Sequence, residues 1–226
     1  MHHWATRVIA IRHGETCWNA EARIQGQLDI ALNETGRWQA RRLAEALAGT
    51  GIAALYASDL QRARQTAQPV ADSTGLPVVT DTGLRERGFG VFEGRTYVEA
   101  EQRWPELALR WRRRDPDFGP EGGEKLADFY ARSVACATRL AAAHPGETIA
   151  LVTHGGVLDC LYRAATRAGL QASRTWQLGN ASINRLLYSP EGFTLVGWAD
   201  AMHLDPGAPN DGPEAASPGR VQPRAA

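Results

Sequence analysis

The sequence predicts an α/β fold with three layers, α/β/α, around a mostly parallel central sheet. Two short runs, Thr6 to Ile11 and Thr148 to Thr153, are β-branched and lack polar alternation, which is typical of strands buried on both faces of a parallel sheet. Amphipathic helical patterns lie between these runs. Their apolar positions are Ala40, Leu43, Ala44 and Leu47 in the first helix, and Leu126, Phe129, Tyr130, Ala137 and Leu140 in the second. Alternating strands and helices favour the α/β class.

The remaining elements extend this sheet. The apolar run Ile52 to Tyr56 is predicted to be a third strand, and Asn33 is predicted to cap the first helix. Two stretches near the end, Ile183 to Ser189 and Phe193 to Trp198, flank a Pro-Glu-Gly turn and predict a hairpin at one sheet edge. Residues 95–123 combine helically spaced apolar residues with a proline- and glycine-rich exit, which predicts a short helical excursion that leaves the sheet and lies over the functional site.

Composition narrows the classes of function. The 226 residues are 43% hydrophobic, enough for one globular domain, predicted at 1–204. The Pro/Gly/Ala-rich segment 205–226 is predicted to be a disordered tail. Twenty-five basic residues balance 25 acidic ones, so neither nucleic acid nor a membrane surface is predicted as a partner. The three cysteines have no CxxC pair, and there is no signal peptide or apolar run of about 18 residues. We therefore expect a soluble, cytoplasmic protein.

Two histidines mark the candidate site. Arg12 and His13 end the first strand and His154 ends another, with a glycine after each histidine. A lone histidine is more often a core residue, but ligands of open α/β sheets bind where strands end, so this matching placement predicts a shared crevice. Ser58 and Gln61 predict a capping box opening a helix. Arg62 then lies in the first turn, where a cation opposes the helix dipole at a cost of about 0.3–1 kcal/mol. An anion bound at this helix end would remove that cost, but an Arg62 side chain that points into solvent explains the sequence equally well.

Arg12, Arg62 and two histidines together suit a phosphate group. Guanidinium groups pair with phosphate in a bidentate manner, and they would repel a divalent cation, so no metal or other cofactor is predicted. Nearby positive charge favours neutral His13, which can attack phosphorus. The leaving alkoxide needs a proton from a carboxyl group. Three glutamates qualify by chemistry, and the residues alone do not choose among them: Glu15, Glu86 and Glu93.

These motifs, in this order, resemble those of the histidine phosphatase superfamily, which has the phosphoglycerate mutase-like fold. The resemblance runs from about Thr6 to Trp198. The matching stretches are R-H-G-E-T with Asn19, S-D-L-Q-R-A-R-Q-T-A from Ser58, L-R-E-R-G-F-G-V-F-E-G from Leu84, T-H-G-G from Thr153, and N-A-S-I-N-R-L from Asn180.

The resemblance also implies roles for particular residues. It makes His13 the phosphorylated nucleophile and Glu86 the acid/base, with Glu93 a loop residue. It assigns the phosphate pocket to a set of five: Arg12, Asn19, Arg62, His154 and the backbone at Gly155.

The resemblance leaves two reactions in view. Mutases of the family carry a long insertion after the loop that holds the acid/base residue, whereas the corresponding segment here, Gly94 to Gly123, is short. The stretch P-E-G-G-E-K-L at the end of this segment resembles that of the phosphatases, except that Lys125 stands where serine is usual. We therefore expect a metal-independent phosphomonoesterase that acts on a small phosphorylated metabolite through a phosphohistidine. The alternative is a bisphosphoglycerate-dependent phosphoglycerate mutase. A non-catalytic phosphate-binding regulatory module is disfavoured, because every motif residue is kept.

Other expectations concern the surroundings of the site. The arginines at 110 and 112–114 are interpreted as a solvated helix face rather than as a steering surface for substrate. Trp104 and Trp111 are expected to pack the excursion onto the core, and Cys17 is expected to be an inert buried thiol. Neither the identity of the phosphate ester nor the oligomeric state follows from the sequence, which leaves a homodimer open.

Overall fold

The computed structural model describes residues 4–205, in which six strands and seven α-helices form the predicted α/β fold. The strands are β1 (Thr6–Arg12), β2 (Ile52–Ala57), β3 (Val78–Thr80), β4 (Thr148–Thr153), β5 (Ile183–Ser189) and β6 (Gly192–Asp200). The helices are α1 (Cys17–Ala20), α2 (Glu34–Leu47), α3 (Gln61–Thr74), α4 (Tyr97–Arg103), α5 (Pro105–Arg112), α6 (Leu126–Ala142) and α7 (Gly155–Thr166). The predicted tail, apart from Asp205, lies outside the described residues.

The sheet has the order β3-β2-β4-β1-β5-β6. Strands β1, β2, β3 and β4 are mutually parallel, whereas β5 runs antiparallel to both β1 and β6 and so forms the predicted hairpin at the edge. In the centre of the sheet, Arg12 of β1 is paired with Thr153 of β4. The residues that follow these two strands, His13 and His154, therefore start from adjacent positions at the same edge.

The absence of polar alternation in the central strands has a direct structural cause. Within β1, Val8 and Ala10 belong to the core on the α6 and α7 side, whereas Ile9 and Ile11 belong to the core on the α2 and α3 side. Strand β4 divides its residues between the two cores in the same way. Helices thus cover both faces of the sheet, which is the predicted three-layer arrangement.

The excursion between Glu93 and α6 consists of α4 and α5. A third apolar cluster beneath it is centred on Phe92 and Phe118, and Trp104 and Trp111 pack against it as predicted. The ring centroids of Phe92 and Trp104 are 5.6 Å apart. Within the described residues no helix has the length and apolarity needed to cross a membrane.

The sequence was misleading at two places. Asn33 caps α2 as predicted, its Oδ1 accepting from the Gly36 N–H at 2.8 Å. The Ser58 capping box is wrong, because α3 begins at Gln61 with Leu60 as its N-cap and Ser58 Oγ accepts instead from the Leu60 N–H at 3.3 Å. The expectation of a buried Cys17 is also wrong: this thiol begins α1 on the outside of the molecule and is exposed.

Candidate active site

The two strand ends bring the histidine side chains together. The His13 N–H donates to the Thr153 carbonyl at 2.8 Å, which continues the β1–β4 ladder by one residue. The imidazole centroids of His13 and His154 lie 5.2 Å apart with the rings tilted by 58°. Both side chains are buried, with 3% and 0% of their surface exposed. The predicted crevice therefore exists.

The tautomer of His13 follows from its hydrogen bond. The Nδ1 atom lies 2.7 Å from the Gly14 carbonyl oxygen, and a carbonyl oxygen only accepts, so Nδ1 carries the proton. In the neutral ring, Nε2 then holds a free lone pair. The turn itself is fixed by the Gly14 N–H, which donates to Thr66 Oγ1 at 2.9 Å. Gly14 is required here, since a Cβ would lie 2.6 Å from the Gly36 carbonyl oxygen.

Arg62 is buried rather than solvated, with 1% of its surface exposed. It is the second residue of α3, and its terminal nitrogens are held by the protein: Nη1 donates to the Leu28 carbonyl at 2.8 Å and Nη2 to the Gly26 carbonyl at 2.7 Å. Arg12 is similarly anchored, its Nη1 donating to the Leu178 carbonyl. Both guanidinium groups are thus fixed before any ligand binds.

Several buried nitrogen atoms nevertheless have no hydrogen-bond partner among the residues that the structure describes. They are Arg12 Nε, Arg62 Nε and both ring nitrogens of His154. Buried polar groups are almost always paired, because leaving one unpaired costs about 1–3 kcal/mol. Unpaired donors beside two guanidinium charges indicate a binding site for an anion with several acceptor oxygens, as phosphate has.

The electrostatics of this site favour neutral imidazoles. Burial lowers the pKa of His13 well below its ordinary value of 6.5, and the nearby charges of Arg62 and Arg12 lower it further. The same causes lower the pKa of His154. Burial also lowers the pKa of Arg62 to about 10, which still leaves that guanidinium charged at neutral pH. Both histidines are therefore uncharged while the arginines stay cationic.

The three candidate glutamates occupy different surroundings. Glu86 lines the cleft above the histidines, where its Oε2 accepts from the Gly156 N–H at 3.0 Å and its Oε1 from the Arg87 N–H at 2.8 Å. Glu93 instead braces two loops, with Oε1 accepting from the N–H groups of residues 27 and 89. Glu15 binds the Asn33 amide at 2.7 Å. Of these three carboxylates, only Glu86 lines the cleft.

Asn19 and Gly155 also lie at the cleft. The Asn19 side chain closes a capping box with Thr16 at the start of α1, its Oδ1 accepting from the Thr16 N–H at 3.1 Å. Gly155 is the first residue of α7, so its N–H is at a helix N-terminus, where backbone donors and the helix dipole both favour an anion.

Sequence reasoning missed Gly156. Its N–H holds the Glu86 carboxylate, and a Cβ at this position would lie 2.1 Å from Glu86 Oε1 and 3.0 Å from the Phe129 ring. A side chain at residue 156 would therefore displace the Glu86 carboxylate from its present position. The doubled glycine after His154 was the available signal.

The cleft has a volume of about 620 Å³. Its outer side is formed by the excursion and by the loop after α7. The prediction that the arginines of the excursion form a solvated helix face is only partly correct. Arg110 and Arg112 form exposed ion pairs with Asp115 and Glu101. Arg114 instead turns inward, since its Nε donates to the Leu170 carbonyl at 2.6 Å and its Nη2 to Asp159 at 2.6 Å. Arg114 therefore joins the two segments that line the outer cleft.

The α/β fold, together with a cleft that contains two adjacent histidines and two buried arginines, is typical of a class of proteins that bind phosphate groups. The model of the histidine phosphatase superfamily (branch 1) matches residues 8–201, and the chain belongs to that family. The resemblance recognised in the motifs is thereby confirmed.

Several relatives show what members of the family do. The chain is 43% identical over 203 residues to phosphoglycerate mutase-like protein 4 of Arabidopsis thaliana, covering 88% of this chain and 86% of that protein. It is 37% identical to a metal-independent phosphoserine phosphatase of the same plant, covering 88% and 83%. The solved structure of a mycobacterial glucosyl-3-phosphoglycerate phosphatase in complex with VO3 is also similar, with a TM-score of 0.76, 34% identity, and 86% and 99% coverage. The relatives thus include phosphatases of phosphorylated metabolites.

Proposed function

We propose that the chain is a metal-independent phosphomonoesterase that hydrolyses a small phosphorylated metabolite through a phosphohistidine at His13. The observation that carries this proposal is the hydrogen bond from His13 Nδ1 to the Gly14 carbonyl. It directs the lone pair of Nε2 away from the backbone, beside the unpaired donors of Arg12, Arg62 and His154. A neutral imidazole held in this way is a competent nucleophile toward phosphorus.

In the first step, His13 Nε2 forms a bond to phosphorus while the bond from phosphorus to the ester oxygen breaks. Arg12, Arg62 and His154 donate to the non-bridging oxygens, on which negative charge accumulates in the transition state. Glu86 gives a proton to the departing alkoxide. Each Glu86 oxygen accepts one backbone N–H, and a second lone pair on each oxygen stays available for that proton.

In the second step, water attacks the phosphohistidine. Glu86, now a carboxylate, takes one proton from the water, the bond between nitrogen and phosphorus breaks, and neutral His13 is restored as phosphate leaves. The products are one alcohol and one phosphate per ester hydrolysed. Charge on the phosphoryl group is balanced by arginines throughout, and within residues 4–205 no three His, Cys, Asp or Glu side chains form a group that could hold a metal ion.

The name of the first relative keeps a mutase reaction as the second candidate. In a mutase the phosphoryl group passes from His13 to another substrate oxygen instead of to water. The short excursion supports the phosphatase, because α4 and α5 together leave an open cleft that water can enter. The three cysteines, all free thiols, fit the proposed cytoplasmic setting.

The proposal is tested by measuring phosphate release from para-nitrophenyl phosphate, phosphoserine and 3-phosphoglycerate, with and without EDTA. Mutase activity toward 3-phosphoglycerate, with bisphosphoglycerate added, is measured in parallel. We expect hydrolysis that EDTA leaves unchanged and that His13→Ala abolishes, whereas His144→Ala, a histidine remote from the cleft, retains it. Dependence on a divalent metal, or mutase turnover exceeding hydrolysis, would overturn the proposal.

A further inference from the structure

One face of α7 extends from the phosphate end of the cleft toward its outer side. Gly155, Asp159 and Arg163 are spaced by four residues, so they lie on the same helix face, about 6 Å apart along the axis. Gly155 begins the helix beside Arg12. Asp159 therefore lines the cleft one helical turn beyond the phosphate, where the alcohol part of a phosphate ester would lie.

The two oxygens of the Asp159 carboxylate differ. Oδ2 accepts from Arg163 Nε at 3.0 Å and from Arg114 Nη2 at 2.6 Å. Asp159 as a whole is only 5% exposed, and its Oδ1 is buried without a hydrogen-bond partner among residues 4–205. The mechanism proposed above makes no use of this oxygen. An unpaired carboxylate oxygen in a cleft indicates a missing hydrogen-bond donor.

Trp176 carries a second unpaired polar atom, and its ring and the Asp159 carboxylate both contact Arg163. Its ring lies 4.8 Å from the Arg163 guanidinium carbon and is stacked on Tyr162 with centroids 3.9 Å apart. The Nε1 atom is buried, and no partner for it lies in the described part of the chain. Trp176 lines the same cleft as Asp159. A group that both donates and accepts would satisfy both side chains.

We infer that Asp159 Oδ1 is a specificity determinant that binds a hydrogen-bond donor on the alcohol part of the substrate, a hydroxyl or ammonium group about one helical turn from the phosphate. The inference rests on the proposed function and deepens it, because it names the chemistry of the leaving group. A hydroxyl group fits better than ammonium. Asp159 already contacts two guanidinium groups and needs no further cation, and a hydroxyl can accept from Trp176 Nε1 whereas ammonium cannot.

The test compares three esters of similar length: hexyl phosphate, sorbitol 6-phosphate and 6-aminohexyl phosphate. For the wild type we expect kcat/KM for sorbitol 6-phosphate to exceed that for hexyl phosphate by at least about tenfold, because a buried polar group left unpaired penalises the analogue that lacks its partner. A preference for the amino ester instead would identify ammonium as the donor. Equal kcat/KM values for all three esters would overturn the inference.

Substitutions test whether Asp159 determines the preference for sorbitol 6-phosphate over hexyl phosphate. Asp159→Asn keeps one oxygen for the arginines but replaces the charged acceptor Oδ1 by a neutral amide group. Because a hydroxyl binds a charged acceptor more strongly than a neutral group, the sorbitol-to-hexyl ratio should fall by about fivefold. Asp72→Asn, an exposed aspartate on α3, is the matched control and should keep the wild-type ratio. Using a ratio cancels any general loss of catalytic capacity. An unchanged ratio in folded Asp159→Asn would contradict the assignment.

Trp176→Phe covers the case in which Asp159→Asn fails to fold. It keeps a ring against Tyr162 and removes Nε1, and it should lower the sorbitol-to-hexyl ratio by about fivefold. The ratio of the amino ester to the hexyl ester should not change. An unchanged sorbitol-to-hexyl ratio in Trp176→Phe would show that no substrate hydroxyl accepts from Trp176 Nε1, and would contradict the choice of a hydroxyl over ammonium.

Binding separates this inference from the proposed function. Calorimetry of the three esters with His13→Ala reports recognition without turnover. If the wild type hydrolysed none of the esters, the proposed function would fail, yet tighter binding of sorbitol 6-phosphate than of hexyl phosphate would still support Asp159. Hydrolysis of all esters without any difference in binding would overturn the inference alone.

Discussion

The floor and the outer wall of the cleft are built differently. The floor comprises Arg12, His13, Arg62 and His154. The backbone of His13 is fixed by two hydrogen bonds: its N–H donates to the Thr153 carbonyl, and its carbonyl accepts from the Asn180 side-chain amide at 3.0 Å. The outer wall comprises the segments 95–123 and 167–178. These two segments are joined by Arg114, whose Nε donates to the Leu170 carbonyl, and the same side chain ties them to Asp159 of α7.

This difference separates chemistry from specificity. Arg12, His13 and His154 lie at the ends of central strands that are buried on both faces. Their positions should therefore not change when the wall changes. A wall held by arginine side chains can change in sequence and shape without disturbing the sheet. We therefore expect floor substitutions to reduce the rate for every ester, and wall substitutions to alter the choice among esters.

The largest effect is expected for Glu86→Gln. The variant keeps an acceptor for the Gly156 N–H but has no proton to give, so kcat/KM for alkyl phosphates should fall by about 100-fold to 10,000-fold. Para-nitrophenyl phosphate, whose leaving group needs no proton, should lose much less. Equal losses for the two kinds of ester would show that Glu86 is not the acid.

Gly156→Ala tests whether the backbone of α7 positions that acid. The added Cβ would displace a carboxylate oxygen that lies 2.1 Å away, and we expect kcat to fall by up to about 100-fold. Gly197→Ala, in β6 with open space around its Cβ position, is the matched control. A Gly156→Ala variant with wild-type kcat would mean that Glu86 needs no such support.

Arg114→Ala addresses the wall. It removes the contacts to Leu170 and Asp159, and we expect KM for the best substrate to rise by about tenfold, equivalent to about 1.4 kcal/mol, with a smaller change in kcat. Arg112→Ala, an exposed arginine of the same segment, should leave KM as it was. A loss confined to kcat would place Arg114 with the floor instead of the wall.

The smallest effect concerns stability and pH. The pKa values of His13 and His154 are lowered by burial and by the arginines, so the unfolded chain binds more protons than the folded one just below the ordinary histidine pKa of about 6.5. The stability that depends on neutral histidines is present above that pH and is lost as the pH falls toward the folded-state pKa values. Thermal unfolding temperatures should decline over this range, and less steeply for His154→Asn. Parallel declines for the two proteins would contradict the assignment.

The fold was largely predictable because β1 and β4 have to be apolar on both faces, a pattern that is visible in the chain itself. The floor was predictable for a related reason, since residues directly after parallel strands meet at one edge. Arg62 was undecided from spacing, because only tertiary contacts, the carbonyls of Gly26 and Leu28, determine whether an arginine is buried.

The wall was not predictable. Arg114 has the same chemistry as Arg110 and Arg112 but a left-handed backbone, φ = 53°, which turns it inward toward Asp159. Asp159 and Trp176 carry no sequence signal of their own, because an aspartate and a tryptophan in amphipathic surroundings fit a surface or a core equally well. The Ser58 capping box failed for a similar reason: a buried serine satisfied its own turn instead of the helix.

The central claim is that phosphorus is transferred to Nε2 of His13, and a rapid-quench experiment tests it most directly. Wild-type protein mixed with a phosphate ester, stopped within the first turnover and digested, is analysed by mass spectrometry under conditions that preserve phosphohistidine. We expect a transient phosphoryl group on the peptide containing His13, attached at Nε2 and absent from His13→Ala. Full hydrolytic turnover with no phosphorylated histidine, or phosphorylation at His154 instead, would contradict it.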